Sequence, residues 1–493
     1  MRHLTAFFIA SLLACSGSNQ APAPTPTPVA DSPLSKALDQ HIAQFGKVRG
    51  ESHRFSGHVF IVRGDDVLYD RGFGAADRKS GAPNTPDTSF RIGSVTKQFT
   101  ATAIYLLEKQ GKLKLSDSIR THLADYPKPA GDQVTIQHLL THTGGVPSYT
   151  ADEAVMARRA EAMTTAQLLA TFKDKPLEFA PGEEFAYSNS GYALLGAIIE
   201  KVTGKSYGEH MREAVFAPAG LDSTVVGDAP TAKDRALGYQ VANGAVVDAD
   251  PVDMSIPHAA GAIRSTSRDL ATWHAVLAAG TLIDQETQAR MQVGTEVSKT
   301  DAPHATRSYA AGWNIVLHKK LERRLVRHGG GIDGFGTAYV RVPADDLVVV
   351  VWTNKPIGNS GISEAALNAV YDKPIEPHVE KAVVALEPAA VARLVGVYAL
   401  TEKSAADALA AGVPEENLES IRTIEVKSSG ASIEVKPAGQ PAIPFEAESE
   451  TAFTFSPAAI RIEFELGSDG KAAAATAITL KQGPLTLRLE RKE

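Results

Sequence analysis

The chain has 493 residues, 43% apolar and 22% charged, with a net charge of −7. This is the balance of a folded, water-exposed protein, and without a long basic run it excludes duplex nucleic acid and an anionic membrane surface as evident partners. The only cysteine, Cys15, excludes an intrachain disulfide and any cysteine-built metal site.

The first stretch reads as an export signal. Met1-Arg2-His3 is a short basic start, Leu4 to Ala14 is apolar, and Leu12-Leu13-Ala14-Cys15 resembles a bacterial lipobox. The run is well short of the ~20 apolar residues that span a bilayer. Residues 1–14 are therefore expected to be a signal peptide, with Cys15 the lipidated N-terminus after cleavage. That reading places the protein outside the cytoplasm, facing the periplasm, with its lipid in a bacterial membrane. Residues 15–33, centred on Ala21-Pro22-Ala23-Pro24-Thr25-Pro26-Thr27-Pro28, cannot bury a core. They predict an extended tether of roughly 50 Å at ~3 Å per residue.

Folded structure is expected from Leu34. Leu34, Leu38, Ile42 and Phe45 recur at helical spacing behind a cap at Ser32 or Asp31 and a first-turn Pro33. His58 to Val62 and Val67 to Tyr69, split by Gly64-Asp65-Asp66, predict a β-hairpin. A helix that ends at Gly111 follows Phe90-Arg91-Ile92-Gly93-Ser94-Val95-Thr96-Lys97. Thr135 to Leu140 predicts a short helix before Thr141-His142-Thr143-Gly144-Gly145. His138 and His142 have zinc-helix spacing, but no Glu follows His138 and the glycines end the helix, so both are expected to be structural.

Pro181 to Ser190 is a loop that opens a helix with Leu194, Leu195, Ile198 and Ile199 on its apolar face, closed by Gly204; Tyr187 sits at its mouth. Phe216 to Thr224 and Gly238-Tyr239 read as loops. Ser267 to Leu277 and Gln285 to Met291 are helical. Then the period changes to two: Gly312 to Leu317, Arg324 to Val326, Thr337 to Val342 and Leu347 to Thr353 predict adjacent antiparallel strands, closed by a helix over Ile362 to Tyr371. The early hairpin and these late strands are expected to share one sheet, with a helical insertion between them. Residues 373–388 are a proline-rich linker. Residues 389–493 alternate at Ile433 and Val435, at Ile460 to Leu466 and at Leu485 to Leu489, which predicts a small antiparallel barrel or sandwich. Ala405 to Leu418 is read as a helical or irregular insertion.

Ser94 and Lys97 hold the chemistry. Three residues apart at a helix start, they lie on one face of the first turn, with an amine beside a hydroxyl and the positive end of the helix dipole behind both. A free serine hydroxyl is a poor nucleophile, and such a neighbour activates it.

Ser94-Val95-Thr96-Lys97, Tyr187-Ser188-Asn189 and His328-Gly329-Gly330-Gly331-Ile332-Asp333-Gly334-Phe335-Gly336, in that order, resemble the serine β-lactamase and penicillin-binding-protein superfamily, nearest its class C-like branch. The likeness spans residues 34–372 and implies an α+β fold: an antiparallel sheet flanked by helices, plus an all-helical sub-region. It also implies that residues 389–493 form a small antiparallel β-barrel of lipocalin-like type opening at Leu394-Val395-Gly396-Val397-Tyr398.

The likeness further implies a serine hydrolase that acts on an ester, amide or peptide bond of a small molecule or peptide through a Ser94 acyl-enzyme. A D,D-carboxypeptidase or D-aminopeptidase type is the alternative, and a true β-lactamase or an idle binding relative ranks below both. By the same resemblance, Lys97 takes the serine proton or holds Tyr187 as phenolate, and Tyr187 activates water for deacylation. Asn189 donates its amide to the substrate carbonyl and to Lys97, backbone N–H groups of Ser94 and Gly331 form the oxyanion hole, and His328 and Gly330 contact substrate. A phenolate at neutral pH needs ~4 kcal/mol of stabilisation, about what one buried ammonium with hydrogen bonds supplies, so the scheme calls for no cofactor and no metal. The departure is His328-Gly329-Gly330 where many members carry Lys-Thr-Gly, which weakens the grip on a substrate carboxylate. Arg327 is expected on the opposite strand face from His328.

Overall fold

The computed structural model describes residues 32–48, 50–228, 235–242, 244–298, 307–378, 384–410, 413, 418, 421–437, 442–455, 460–467, 473–482 and 485–492. Cys15 and the tether before Ser32 lie outside these residues. Helix α1, Pro33–Ile42, starts as expected: Ser32 Oγ accepts from Ser35 N at 3.0 Å, and Pro33 occupies a first-turn position whose missing N–H is not needed. Strands β1, Gly57–Arg63, and β2, Asp66–Phe73, form the hairpin. Strand β3, Phe90–Arg91, leads through a tight 3-10 turn, Gly93–Val95, into α2, Thr96–Lys109.

The helical insertion includes α3, Ile136–Leu140, and α4, Asn189–Thr203. Ser188 caps α4 by accepting from Gly191 N at 3.2 Å, and Gly204 closes it at φ +68°. Two short strands, β4 (Val225–Val226) and β5 (Ile263–Ser265), bracket a turn of helix at His258–Gly261 and pair into a three-stranded sheet with β3. Then come α5, Ser267–Ala279, and α6, Gln285–Met291.

Strands β6, Thr295–Ser298, β7, Arg307–Ala310, β8, Trp313–His318, β9, Arg323–Ile332, β10, Phe335–Val342, and β11, Leu347–Thr353, complete an eight-stranded antiparallel sheet. Its order is β6-β7-β8-β9-β10-β11-β1-β2, so the early hairpin docks on the last strand. The edge pair β6 and β7 has no counterpart in the strands expected from the residue pattern. Helix α7, Asn359–Val370, ends the unit.

Every residue of β11 is buried, and its alternation explains the layering. Val348, Val350 and Trp352 enter the larger core with α2, α4 and α5, while Leu347, Val349 and Val351 enter a second core with α1 and α7. Each such side chain contributes about 1.5–3 kcal/mol of burial, and the sheet becomes a rigid floor for what stands on its edge.

Beyond it, eight strands close into an antiparallel barrel: β12 (Gly396–Leu400), β13 (Thr423–Ser429), β14 (Ser432–Pro437), β15 (Ile443–Ala447), β16 (Ala452–Phe455), β17 (Ile460–Leu466), β18 (Ala475–Gln482) and β19 (Leu485–Arg491). The closure is β12 on β19, through Tyr398↔Arg491 and Leu400↔Leu489. Tyr398, Val426, Val435, Phe453, Ile462 and Leu487 share one packed core, so the barrel is stabilised like any small hydrophobic domain. Helix α8, Glu402–Ala410, fills part of the expected insertion. The proline-rich connection is pinned at both ends: His378 stacks on Phe45 of the first body at 3.7 Å, and Val384 and Leu386 donate backbone N–H groups to Ala447 and Ala431 of the barrel.

Candidate active site

Ser94 is held by main-chain contacts. Ile92 N donates to Ile263 O at 3.0 Å, which fixes β3 against β5 and points the next turn at the edge of the large sheet. There the turn meets β9 so closely that two glycines are required. A Cβ on Gly330 would lie 2.0 Å from Ile92 O, and one on Gly93, at φ +51°, would lie 2.9 Å from Gly331 N. The main chains of Ser94 and Gly331 therefore face each other at the mouth of a cleft that both line.

Lys97 lies one turn on from Ser94, as the second residue of α2, and is fully buried. Its Nζ is 3.1 Å from Ser94 Oγ, 2.8 Å from Asn189 Oδ1 and 2.9 Å from Ala260 O. Among the described residues no carboxylate pairs with it, and burial alone pushes its pKa well below the usual 10.5. The contact set fits a neutral amine. In its neutral form the amine gives its two N–H groups to Asn189 Oδ1 and Ala260 O, which only accept, and leaves its lone pair to the Ser94 hydroxyl.

Tyr187 stands just before α4; the residue is 38% exposed, but its hydroxyl is turned inward against Ser94. Burial of the phenol pushes its pKa up, and the Ser94 hydrogen bond offsets this only in part. The ring centroid lies 4.7 Å from Lys97 Nζ. The two shifts, Lys97 downward and Tyr187 upward, both run against the phenolate expected from the sequence and favour a proton on the phenol. Asn189 is corrected too. Toward Lys97 its side chain accepts, while its Nδ2 donates to Thr150 Oγ1 at 3.0 Å.

His328 and Gly330 take places other than those expected. His328 is 4% exposed; Nδ1 is 2.6 Å from Gly329 O, which only accepts, so that nitrogen carries the proton, and Nε2 is 3.0 Å from Tyr309 Oη. Both ring nitrogens are occupied by the protein, which leaves no donor for a substrate carboxylate. Gly330 turns its open side to Ile92 O, so its role is close approach of the strand. Arg327 is half-buried beside the buried His328, consistent with strand alternation.

The zinc-spaced histidines are separated by their functions in the fold. His138 Nδ1 accepts from Thr135 N at the start of α3, and His142 sits at φ +58° with its ring 4.3 Å from that of Tyr187.

The cleft has a volume of about 480 Å³. Tyr149, Met156, Val252, Ile256, Ile332 and Phe335 make its walls largely apolar, and no Lys or Arg is among its described lining residues. Asp333 is the charged one, and Arg159 holds it at 2.8 Å while also gripping Asp250 at 2.7 Å. Sequence reasoning missed the Ala260 carbonyl, for which a main-chain atom gives no side-chain signal. It also missed Thr150, which follows Gly145 after a short stretch without periodicity; the nearby Thr-His-Thr-Gly-Gly run was the available signal.

The fold and this Ser94–Lys97–Asn189 cluster define a serine hydrolase of the β-lactamase and penicillin-binding-protein-like type, and the comparisons agree. The chain belongs to the Beta-lactamase family, which it matches over residues 38–372. It is 27% identical over 456 residues to penicillin-binding protein 4* of Bacillus subtilis, covering 87% of this chain and 94% of that one. The octameric penicillin-binding protein homologue from Pyrococcus abyssi superposes over 92% of this chain and 99% of its own, with TM-score 0.62 and 25% identity. D-amino acid amidase from Ochrobactrum anthropi, complexed with L-phenylalanine amide, covers 69% of this chain and 97% of its own, with TM-score 0.59 and 26% identity.

Proposed function

We propose that this β-lactamase-family hydrolase opens a carboxylate-free ester or amide with an apolar acyl group through an acyl-enzyme on Ser94. The observation that carries the reading is the Lys97 amine, buried without a counter-ion among the described residues and with two carbonyl acceptors that leave its lone pair to Ser94 Oγ. In the acylation step Ser94 Oγ bonds to the substrate carbonyl carbon and its proton passes to Lys97 Nζ. The N–H groups of Ser94 and Gly331 receive the oxyanion, each such donor being worth about 3 kcal/mol.

As the tetrahedral adduct collapses, the bond to the leaving group breaks. Tyr187 gives that group its proton and is reprotonated by the Lys97 ammonium, which returns the amine to its neutral form. Water then adds to the acyl carbon as Lys97 Nζ takes its proton; when this second adduct collapses the bond from the acyl carbon to Ser94 Oγ breaks, Lys97 returns the proton to Oγ, and the carboxylic acid leaves.

The cleft's apolar walls, the occupied His328 and the lack of a described lysine or arginine in the lining favour uncharged substrates over the terminal carboxylate of a cell-wall peptide. Likeness to an amidase crystallised with an amino-acid amide supports the amide arm. The lipobox at Leu12 to Cys15 and the proline-rich tether support an extracytoplasmic, lipid-anchored location.

The test is covalent labelling with a fluorophosphonate, with labelled penicillin run in parallel. The expected result is one adduct per chain from the fluorophosphonate, lost in Ser94→Ala. No adduct at Ser94 would overturn the acyl-enzyme, and strong penicillin labelling would restore the carboxylate-binding reading.

A further inference from the structure

The Thr141-His142-Thr143-Gly144-Gly145 strip is not used by the mechanism above, yet the loop that presents Tyr187 is fastened to it. Glu178 N donates to Gly145 O at 2.8 Å, Gly182 N to Thr143 O at 2.7 Å and Ala186 N to His142 O at 3.0 Å. Ser188 N then donates to the His142 ring, at Nδ1, at 3.1 Å. One residue thus accepts from the amides on both sides of Tyr187, once by its carbonyl and once by its side chain.

The same ring lies on the Tyr187 ring at 4.3 Å, tilted by 40°, and packs against Tyr192 at 5.1 Å and Tyr309 at 4.5 Å. Because Nδ1 accepts, the ring proton is on Nε2, a fully buried atom with no hydrogen-bond partner among the described residues. His142 also holds φ +58°, in the left-handed region that only a few per cent of non-glycine residues adopt, histidine being, with Asn and Asp, among the better tolerated. Two costs fall on one buried side chain, an orphaned N–H and a left-handed backbone. In return the side chain makes contacts aimed at Tyr187, and strain of this kind persists where the surroundings over-determine it.

We infer that His142 is the positioning residue for Tyr187: it fixes the backbone on either side of the tyrosine and one face of its ring, and so sets where the phenol hydroxyl stands relative to Ser94. The inference rests on Tyr187 acting in turnover as proposed above. It assigns His142 no proton transfer, since its ring is buried behind Tyr187 and its accepting nitrogen is taken by Ser188 N.

The experiment is a double-mutant cycle on steady-state hydrolysis of an unactivated alkyl ester, whose alkoxide leaving group needs a proton, with rates normalised to active sites titrated by a fluorophosphonate. Tyr187→Phe is expected to lower kcat by about 100-fold or more, the range of a positioned acid or base. His142→Ala is expected to lower kcat by about 10- to 100-fold while changing KM by less than about threefold, and the double variant to be no slower than Tyr187→Phe alone. His142→Asn keeps an acceptor near Nδ1 and tolerates the positive φ, so it is expected to recover kcat to within about tenfold of the parent.

Multiplicative losses in the double variant, or parental kcat in His142→Ala, would overturn the positioning role. Parental kcat in Tyr187→Phe would instead overturn the reading on which it rests. If His142→Ala does not fold, the cycle is run with His142→Gly, which suits the positive φ while removing the ring and its acceptor, and multiplicative losses there overturn the inference equally.

Discussion

The two walls of the cleft are built from different materials. On the helix side, side chains do the work: Ser94 and Asn189 gather around the buried Lys97 amine in a cluster completed by the Ala260 carbonyl. On the strand side, β9 contributes main chain: Gly330 lets it touch Ile92, Gly331 faces Ser94, and the imidazole of His328 is turned away and satisfied by Gly329 and Tyr309. The difference teaches that proton transfer here depends on the chemistry of one wall and carbonyl polarisation on the placement of the other. Substitutions on the two sides should therefore fail in different ways.

The largest effect is expected on the helix side. Lys97→Met removes the base and should lower kcat by about 1,000-fold, within the range for general-base loss. It also removes an amine whose burial opposes its charged form. The folded-state pKa of Lys97 lies below the unfolded value, so the unfolded chain binds the extra proton and the wild type gains stability as pH rises toward 10.5. Losing that penalty offsets the two orphaned carbonyls, about 1–3 kcal/mol each. Tm is expected to stay within about 5 °C of wild type by this reckoning. A variant inactive because it unfolds would break the comparison.

Next comes the strand side. Gly330→Ala places a methyl 2.0 Å from Ile92 O and must push β9 away from the turn. A shift near 1 Å costs about 100-fold in rate, and overpacking costs about 1–3 kcal/mol of stability. Here kcat and Tm should fall together, unlike Lys97→Met; urea melts beside kinetics check this.

The smallest effect belongs to His328. With both ring nitrogens occupied, the ratio of rates on a carboxylate-bearing and a neutral ester should stay flat between about pH 5.5 and 8.5, where a free imidazole would titrate. A ratio that falls as pH rises would return His328 to substrate binding and give the strand wall a chemical role.

The sequence was most informative where one residue type at one spacing has few uses. Ser94 and Lys97 were legible because the i, i+3 step fixes their relation whatever the tertiary fold. Helix α4 was legible from its apolar face at Leu194, Leu195, Ile198 and Ile199 and its Gly204 stop, and the large sheet from the period-two runs around β8 to β11. The three-stranded sheet of β3, β4 and β5 was not, because strands of two or three residues show no period, and with it went the Ala260 carbonyl.

Asn189 was placed correctly and oriented wrongly, since an amide's donor and acceptor ends are set by neighbours distant in sequence. His328 misled for a related reason: the strand pattern says which face a side chain takes, but Tyr309, which occupies its nitrogen, comes from another strand. The protonation of Tyr187 and Lys97 depends on burial, which a linear pattern does not encode.

The central claim is that the amine beside Ser94 rests uncharged. The most direct measurement is the second-order rate of Ser94 labelling by an uncharged fluorophosphonate as a function of pH. A neutral Lys97 predicts a rate that rises through one ionisation well below 10.5 and is level above it, with the acid limb absent from Lys97→Met. A rate that climbs without levelling until pH passes 10.5, as an ordinary lysine would require, contradicts the account.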